Sequence, residues 1–223
     1  MSLVKLVAQM LKRILFISCW FSINIATASE LVLGNFSVNN GLNTWQEKEF
    51  SGNTLYQLVR LENELVLQAN SKASASGLFK EQVIDLEKTP YLNWRWRIEN
   101  RLSSLDEKTK AGDDYSARVY ILVSGGLAFW RTRAINYVWS SNQAAGEIWD
   151  NAFAGEKAKM WALRSAKDDL STWKTEKRNI REDFKQLYGE EIRYIHALAI
   201  MTDTDNSESQ AITYYGNIVF STE

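Results

Sequence analysis

The sequence predicts an all-β protein, a two-sheet antiparallel sandwich of jelly-roll type with one short helix near residues 180–188. Three observations carry that prediction. Short alternating or aromatic-rich runs recur along the chain, each followed by a polar turn cluster. A single segment has helical spacing, with Ile180, Phe184, Leu187 and Tyr188 on one face and Gly189 as the stop. No proline-rich or serine-rich linker and no repeat of 20 to 50 residues interrupts the pattern.

In chain order the predicted strands are 31–36, 55–60, 64–70, 77–85, 91–99, 115–123, 133–139, 159–164, 173–179, 192–202 and 211–220. The first three are short runs rich in leucine and valine, and the turn Ser51-Gly52-Asn53 lies between the first and second. In 91–99, Leu92, Trp94, Trp96 and Ile98 alternate with Asn93, Arg95 and Arg97, so the apolar set faces inward. In 115–123, Ala117, Val119, Ile121 and Val123 face the other sheet, and Ser116, Arg118 and Tyr120 turn away from it. Ser124-Gly125-Gly126 then breaks the chain before 133–139, where Tyr137 and Trp139 share a face that alternation alone does not assign. The apolar strand 192–202 runs into a polar turn from Asp203 to Ser209, and 211–220 closes the fold.

The first 28 residues have a different character. Lys5, Lys12 and Arg13 precede an apolar run from Ile14 to Ile25, and Ala26-Thr27-Ala28 has the small-x-small form that signal peptidase accepts. The apolar run is shorter than the roughly 20 residues of a membrane span, so the expected outcome is cleavage after Ala28 and a periplasmic or secreted domain of residues 29–223 without lasting membrane insertion. Cleavage removes three of the 26 basic residues, none of the 27 acidic ones and the only cysteine, leaving 23 basic against 27 acidic side chains. That balance offers nothing to nucleic acid, and neither disulfides nor thiolate metal sites can support the fold. The 195 residues that remain of 223 can do so with a core alone, because a domain of that size buries roughly 70% of its unfolded surface.

The residues with chemical potential are few. If the strands 91–99 and 115–123 are neighbours, Arg95, Arg97, Arg118 and Tyr120 form a basic and aromatic patch suited to hydroxyl-rich or anionic ligands; otherwise they are an ordinary solvated face. Tryptophan and tyrosine stack on sugars but also fill cores; Trp130 and Trp149 are expected at the surface, and Tyr137 and Trp139 are further candidates. Asp113 and Asp114 begin the strand that carries Arg118. Asp203, Asp205 and Asn206 have the spacing of a short acidic loop that could hold a structural Ca²⁺, the one metal reading in a chain that calls for no other cofactor. His196 is the only histidine, so multi-histidine metal sites are excluded, and no His-Glu-x-x-His, Gly-x-Ser-x-Gly or glycine-rich phosphate loop occurs. Glu147 with Asp150 would serve a glycoside hydrolase, and His196 with Tyr120, Arg118 or Tyr137 a polysaccharide lyase.

Five segments together resemble a known family: Asn93-Trp-Arg-Trp-Arg-Ile98, Gly112-Asp-Asp-Tyr-Ser-Ala-Arg-Val-Tyr120, Asn136-Tyr-Val-Trp139, Met201-Thr-Asp-Thr-Asp-Asn206 and Tyr214-Tyr-Gly-Asn217. In this order they are similar to the bacterial family called domain of unknown function 3047. That resemblance implies an exported single domain and no particular activity. The closing Tyr-Tyr-Gly-Asn-Ile-Val-Phe also resembles, loosely, the last hairpin of jelly-roll carbohydrate-binding modules. The expected function is therefore a non-catalytic protein binding a glycan or another polar or anionic ligand, with a polysaccharide lyase or hydrolase, and a structural envelope protein with a protein partner, as the alternatives.

Overall fold

A computed structural model describes residues 30–103 and 105–223. The expected signal peptide lies outside the described residues. What is described is two β-sheets facing each other across one core, as the alternation predicts.

The first sheet runs β1 (Glu30–Gly34), β14 (Ile218–Ser221), β6 (Tyr91–Ile98), β13 (Gln210–Tyr215), β4 (Glu64–Lys72) and β3 (Leu55–Leu61), with β11 (Lys174–Asn179) also paired to β6. The run 211–220 is two strands, not one. β13 pairs with the second half of β6 and β14 with the first, and the chain between them breaks at Gly216 and Asn217. A Cβ at Gly216 would sit 2.6 Å from the Arg95 side chain, which would have to shift to admit it. Asn217 Oδ1 accepts the Phe36 and Ser37 amides at 2.8 and 3.2 Å and ties down the chain after β1.

The second sheet runs β2 (Gln46–Ser51), β5 (Ala75–Asp85), β12 (Tyr194–Asp203), β7 (Ala117–Val123), β8 (Arg133–Trp139), β10 (Gly155–Arg164) and β9 (Ile148–Asn151). Its pairings are antiparallel except β8 with β10, which are parallel, a departure from the all-antiparallel expectation. β9 makes this possible by filling the return path and pairing on the outer side of β10. β2 and β9 were not legible in the sequence: every residue of β2 is exposed at the sheet edge, and β9 is four residues long.

Between the sheets Leu92, Trp94, Trp96 and Ile98 meet Ala117, Val119 and Ile121 as predicted, all buried. Trp94 lies 5.4 Å from Tyr137 and Trp96 lies 5.9 Å from Trp139, ring centre to ring centre. Tyr137 and Trp139 are therefore core residues and leave the list of ligand candidates. The helix, α1 (Ile180–Tyr188), packs Ile180 and Phe184 into the same core. Asn179 caps its first turn through the Glu182 amide, and Gly189 ends it in the left-handed region at φ 68°. Beneath it Asp183 accepts the Tyr137 hydroxyl and pairs with Arg178 at 2.5 Å. Among the described residues no helix is long and apolar enough to cross a membrane.

Candidate functional site

The strand alternation that turns Val119 and Ile121 inward turns Arg118, Tyr120 and Leu122 to the other face of the second sheet, and that face is concave. A groove of about 500 Å³ runs across it, within the range of small-ligand sites. Its floor is laid by Arg118, Tyr120 and Leu122 of β7, Ala134 and Asn136 of β8, Ala158 of β10, Phe79 of β5 and Met201 and Asp203 of β12. Two exposed phenylalanines stand at its borders, Phe50 on β2 and Phe153 in the β9–β10 turn. Each has a lysine over its ring: Lys48 at 5.5 Å from Phe50 and Lys110 at 5.3 Å from Phe153.

Arg118 is 2% exposed and governs one end. Its guanidinium lies over the Tyr115 ring at 4.2 Å, donates to the Tyr120 hydroxyl at 2.8 Å, pairs with Asp203 and approaches Asp113 at 3.5 Å. Asn151 Nδ2 donates to Asp113 at 3.2 Å from the other side. Two polar atoms of this floor are buried without a hydrogen-bond partner among the described residues, Arg118 Nε and Asn136 Oδ1. Burial raises the Asp203 carboxyl well above the ordinary range; Arg118 pulls it back, and Asp114 and Asp113 push it up. Asp205 is raised as well, by burial and then by Asp114. Burial also pushes the Tyr120 phenol up.

The acidic turn is built differently from the calcium loop its spacing suggested. Oxygens of Asp114, Asp203 and Asp205 lie within 4.8 Å of one another, but Asn206 is not among the acceptors: its backbone and side-chain nitrogens donate to Asp114 at 3.2 Å. Asp114 also accepts the Ser207 amide at 2.6 Å, and Asp203 is taken by Arg118 and the Tyr115 amide. Calcium takes about six to eight oxygen ligands. The three carboxylates here supply fewer, each already accepts from a protein donor, Asp205 from Asn206 Nδ2 at 3.3 Å, and the turn caps itself.

The patch joining Arg95 and Arg97 to Arg118 and Tyr120 does not exist. β6 and β7 belong to different sheets, so when their apolar sides meet, their polar sides point in opposite directions. Arg95 pairs with Glu64 and stacks on Trp173 at 4.4 Å, and Arg97 pairs with Glu62 and Glu99 at 2.6 Å. His196 is also elsewhere. It accepts the Ser124 amide on Nδ1 at 3.2 Å, on the order of 15 Å along β12 from the residue opposite Arg118. Trp130 is 58% exposed as expected, but Trp149 is buried against Tyr115. Glu147 pairs with Lys108 and Asp150 with Lys159, and neither lines the groove. Phe50, Phe153, Asn136 and Asn151 were missed. Nothing in a four-residue strand or a polar edge strand marks the rings beside it as a groove border, and Asn136 stands in the sequence only as the first residue of the Asn136-Tyr-Val-Trp139 segment.

Comparison with solved structures finds the fold repeated at low sequence identity. The family 30 carbohydrate-binding module of the cellulosomal cellulase Cel9D-Cel44B of Clostridium thermocellum matches at TM-score 0.50 and 9% identity, over 87% of this chain and 98% of that one. The family 11 module of Lic26A-Cel5E of the same organism matches at 0.46 and 12%, over 87% and 95%. The xyloglucanase domain of NopAA from Sinorhizobium fredii matches at 0.46 and 10%, over 80% and 93%. No curated protein matches the chain. A family model covers residues 43–219, which include Arg118, Asn136, Asp203 and both bordering phenylalanines, and the chain accordingly belongs to the family described as protein of unknown function DUF3047.

Proposed function

We propose that this is an exported binding protein that takes a neutral, hydroxyl-rich ligand, a glycan, in the groove of the second sheet. One observation carries the reading: Asn136, 1% exposed, lines the floor of the groove and has a buried carbonyl oxygen with no hydrogen-bond partner among the described residues, and exposed phenylalanine rings stand at the groove's borders. An unpaired buried acceptor costs about 1 to 3 kcal/mol, and a ligand hydroxyl supplies the missing donor. Flat apolar rings at the borders suit the apolar faces of sugar rings. The fold shared with a carbohydrate-binding module admits this use, but the groove's residues are what argue for it.

The charge of the site favours a neutral ligand over the anionic one also expected. Arg118 is already held by Asp203 and Asp113, and Asp205 adds a third carboxyl to a lining whose other cation is Lys48, so acidic groups outnumber basic ones. The same geometry favours binding over lyase chemistry. Tyr120 is made a weaker acid by burial, and His196, the other candidate base, sits outside the groove. A glycan-array screen of the purified protein, followed by titration of the best ligand, tests the proposal. Asn136→Ala should weaken binding at least tenfold and leave the melting temperature unchanged or higher, because it removes a buried polar group that has no partner. Absence of any glycan binding, or undiminished binding by Asn136→Ala, would overturn it.

A further inference from the structure

The groove changes character along its strands. On β7, Arg118, Tyr120 and Leu122 follow one another on the concave face, and the register aligns each with its neighbours. The level of Arg118 includes Met201 and the nearby Asp203; the level of Tyr120 includes Asn136 and, on β5, Phe79. At the level of Leu122 the lining is Ala134 and Ala158, with no hydrogen-bonding side chain. Glu81, the charged residue at that level on β5, is exposed and does not line the groove. Past Leu122 the strand ends in the β7–β8 connection, 124–132, whose root is fixed by the His196–Ser124 hydrogen bond. Leu127, on that connection, is fully exposed, and Trp130 is largely so. No acidic residue occurs between 115 and 146. The apolar end of the groove floor therefore lies on the strand that leads into the loop carrying Leu127 and Trp130.

Resting on the glycan reading above, we infer that the natural ligand is an amphipathic glycoside, a sugar carrying an alkyl or acyl chain. Its sugar hydroxyls meet Asn136 and the Tyr120–Arg118 end, and its chain lies over Leu122, Ala134 and Ala158 and leaves toward Leu127. A plain glycan has hydroxyls along its whole length and would leave those at the Leu122 level without protein partners. An apolar chain meets no such penalty there, and covering it removes both its own surface and that of the apolar floor from water.

Titration of the purified protein with paired methyl and n-octyl glycosides of glucose, galactose, mannose and maltose, below micelle-forming concentrations, tests this, with octyl tetraethylene glycol ether as a sugar-free control. The preferred octyl glycoside should bind at least tenfold more tightly than its methyl partner and than the sugar-free ether. Leu127→Ser should weaken octyl binding at least threefold and leave methyl binding unchanged, and Leu122→Asn, in the groove floor, should weaken octyl binding at least threefold more than it weakens methyl binding. Leu127 is fully exposed, so its variant reports on binding without touching the core. Equal affinity for methyl and octyl forms, or octyl binding untouched by both variants, overturns the inference while the glycan reading stands. Equal binding of the sugar-free ether, or no glycoside bound at all, overturns both.

Discussion

Arg118 makes contacts that a surface arginine cannot. Its charge is enclosed by Asp203, Asp113, Tyr115 and Tyr120, and removing it strands two buried carboxylates. Arg118→Ala should cost about 3 to 5 kcal/mol in denaturant unfolding, the usual result of breaking a buried pair from one side. Loss of less than 1 kcal/mol would show that the network is not what holds that end of the groove. Asp205 gives the opposite prediction. Its carboxyl is raised above the ordinary 3.8, so the folded state holds the proton more tightly than the unfolded chain does. Its contribution to stability is then fully present below 3.8 and is lost as pH rises through the raised value. Asp205→Asn should melt higher than the wild type at pH 7, and the gap should close as pH falls toward 3.8; a gap independent of pH would refute the raised carboxyl that burial, and after it Asp114, gives this residue. Alternation placed Arg118 and Tyr120 on the right face of their strand. It could not place that strand in the second sheet, because strand neighbours come from topology, and it read as exposed a face that Asp113, Tyr115 and the β9–β10 turn partly cover.

Elements with strict alternation or a cap and stop were legible in the sequence, and the edge strands β2 and β9 were not. β6 and β7 separate polar from apolar residues by strict alternation, and α1 has both a cap and a stop, so all three were expected within two residues of where they lie. β2 is polar on both sides and β9 is too short to show a period, yet these two carry the groove to its borders. The site was therefore half visible, its floor in the strong strands and its rims in the weak ones. Within α1 the packing should outweigh the cap. Phe184→Ala should cost about 3 to 5 kcal/mol, while Asn179→Ala, which loses one hydrogen bond at 3.3 Å, should cost about 1 kcal/mol. Equal losses in chemical denaturation would mean that the helix is held by its own turn and not by the core.

For the whole molecule the proposal of export has a direct check: N-terminal sequencing of protein recovered outside the cytoplasm should give Ser29 as the first residue, and full-length chain in the membrane fraction would contradict it. Export also gives weight to how the first sheet is closed. β1 pairs with β14, Glu30 opposite Ser221, so the earliest described strand finds its partner only in the last four-residue strand of the chain. β6, at the middle of the same sheet, likewise waits for β13 and β14. Contacts this distant in sequence form slowly. A chain that emerges from its N-terminus cannot complete this sheet until nearly all of it has been made. If the chain is exported as proposed, the clasp between its first and last described strands would defer closure of this sheet until the chain has been made.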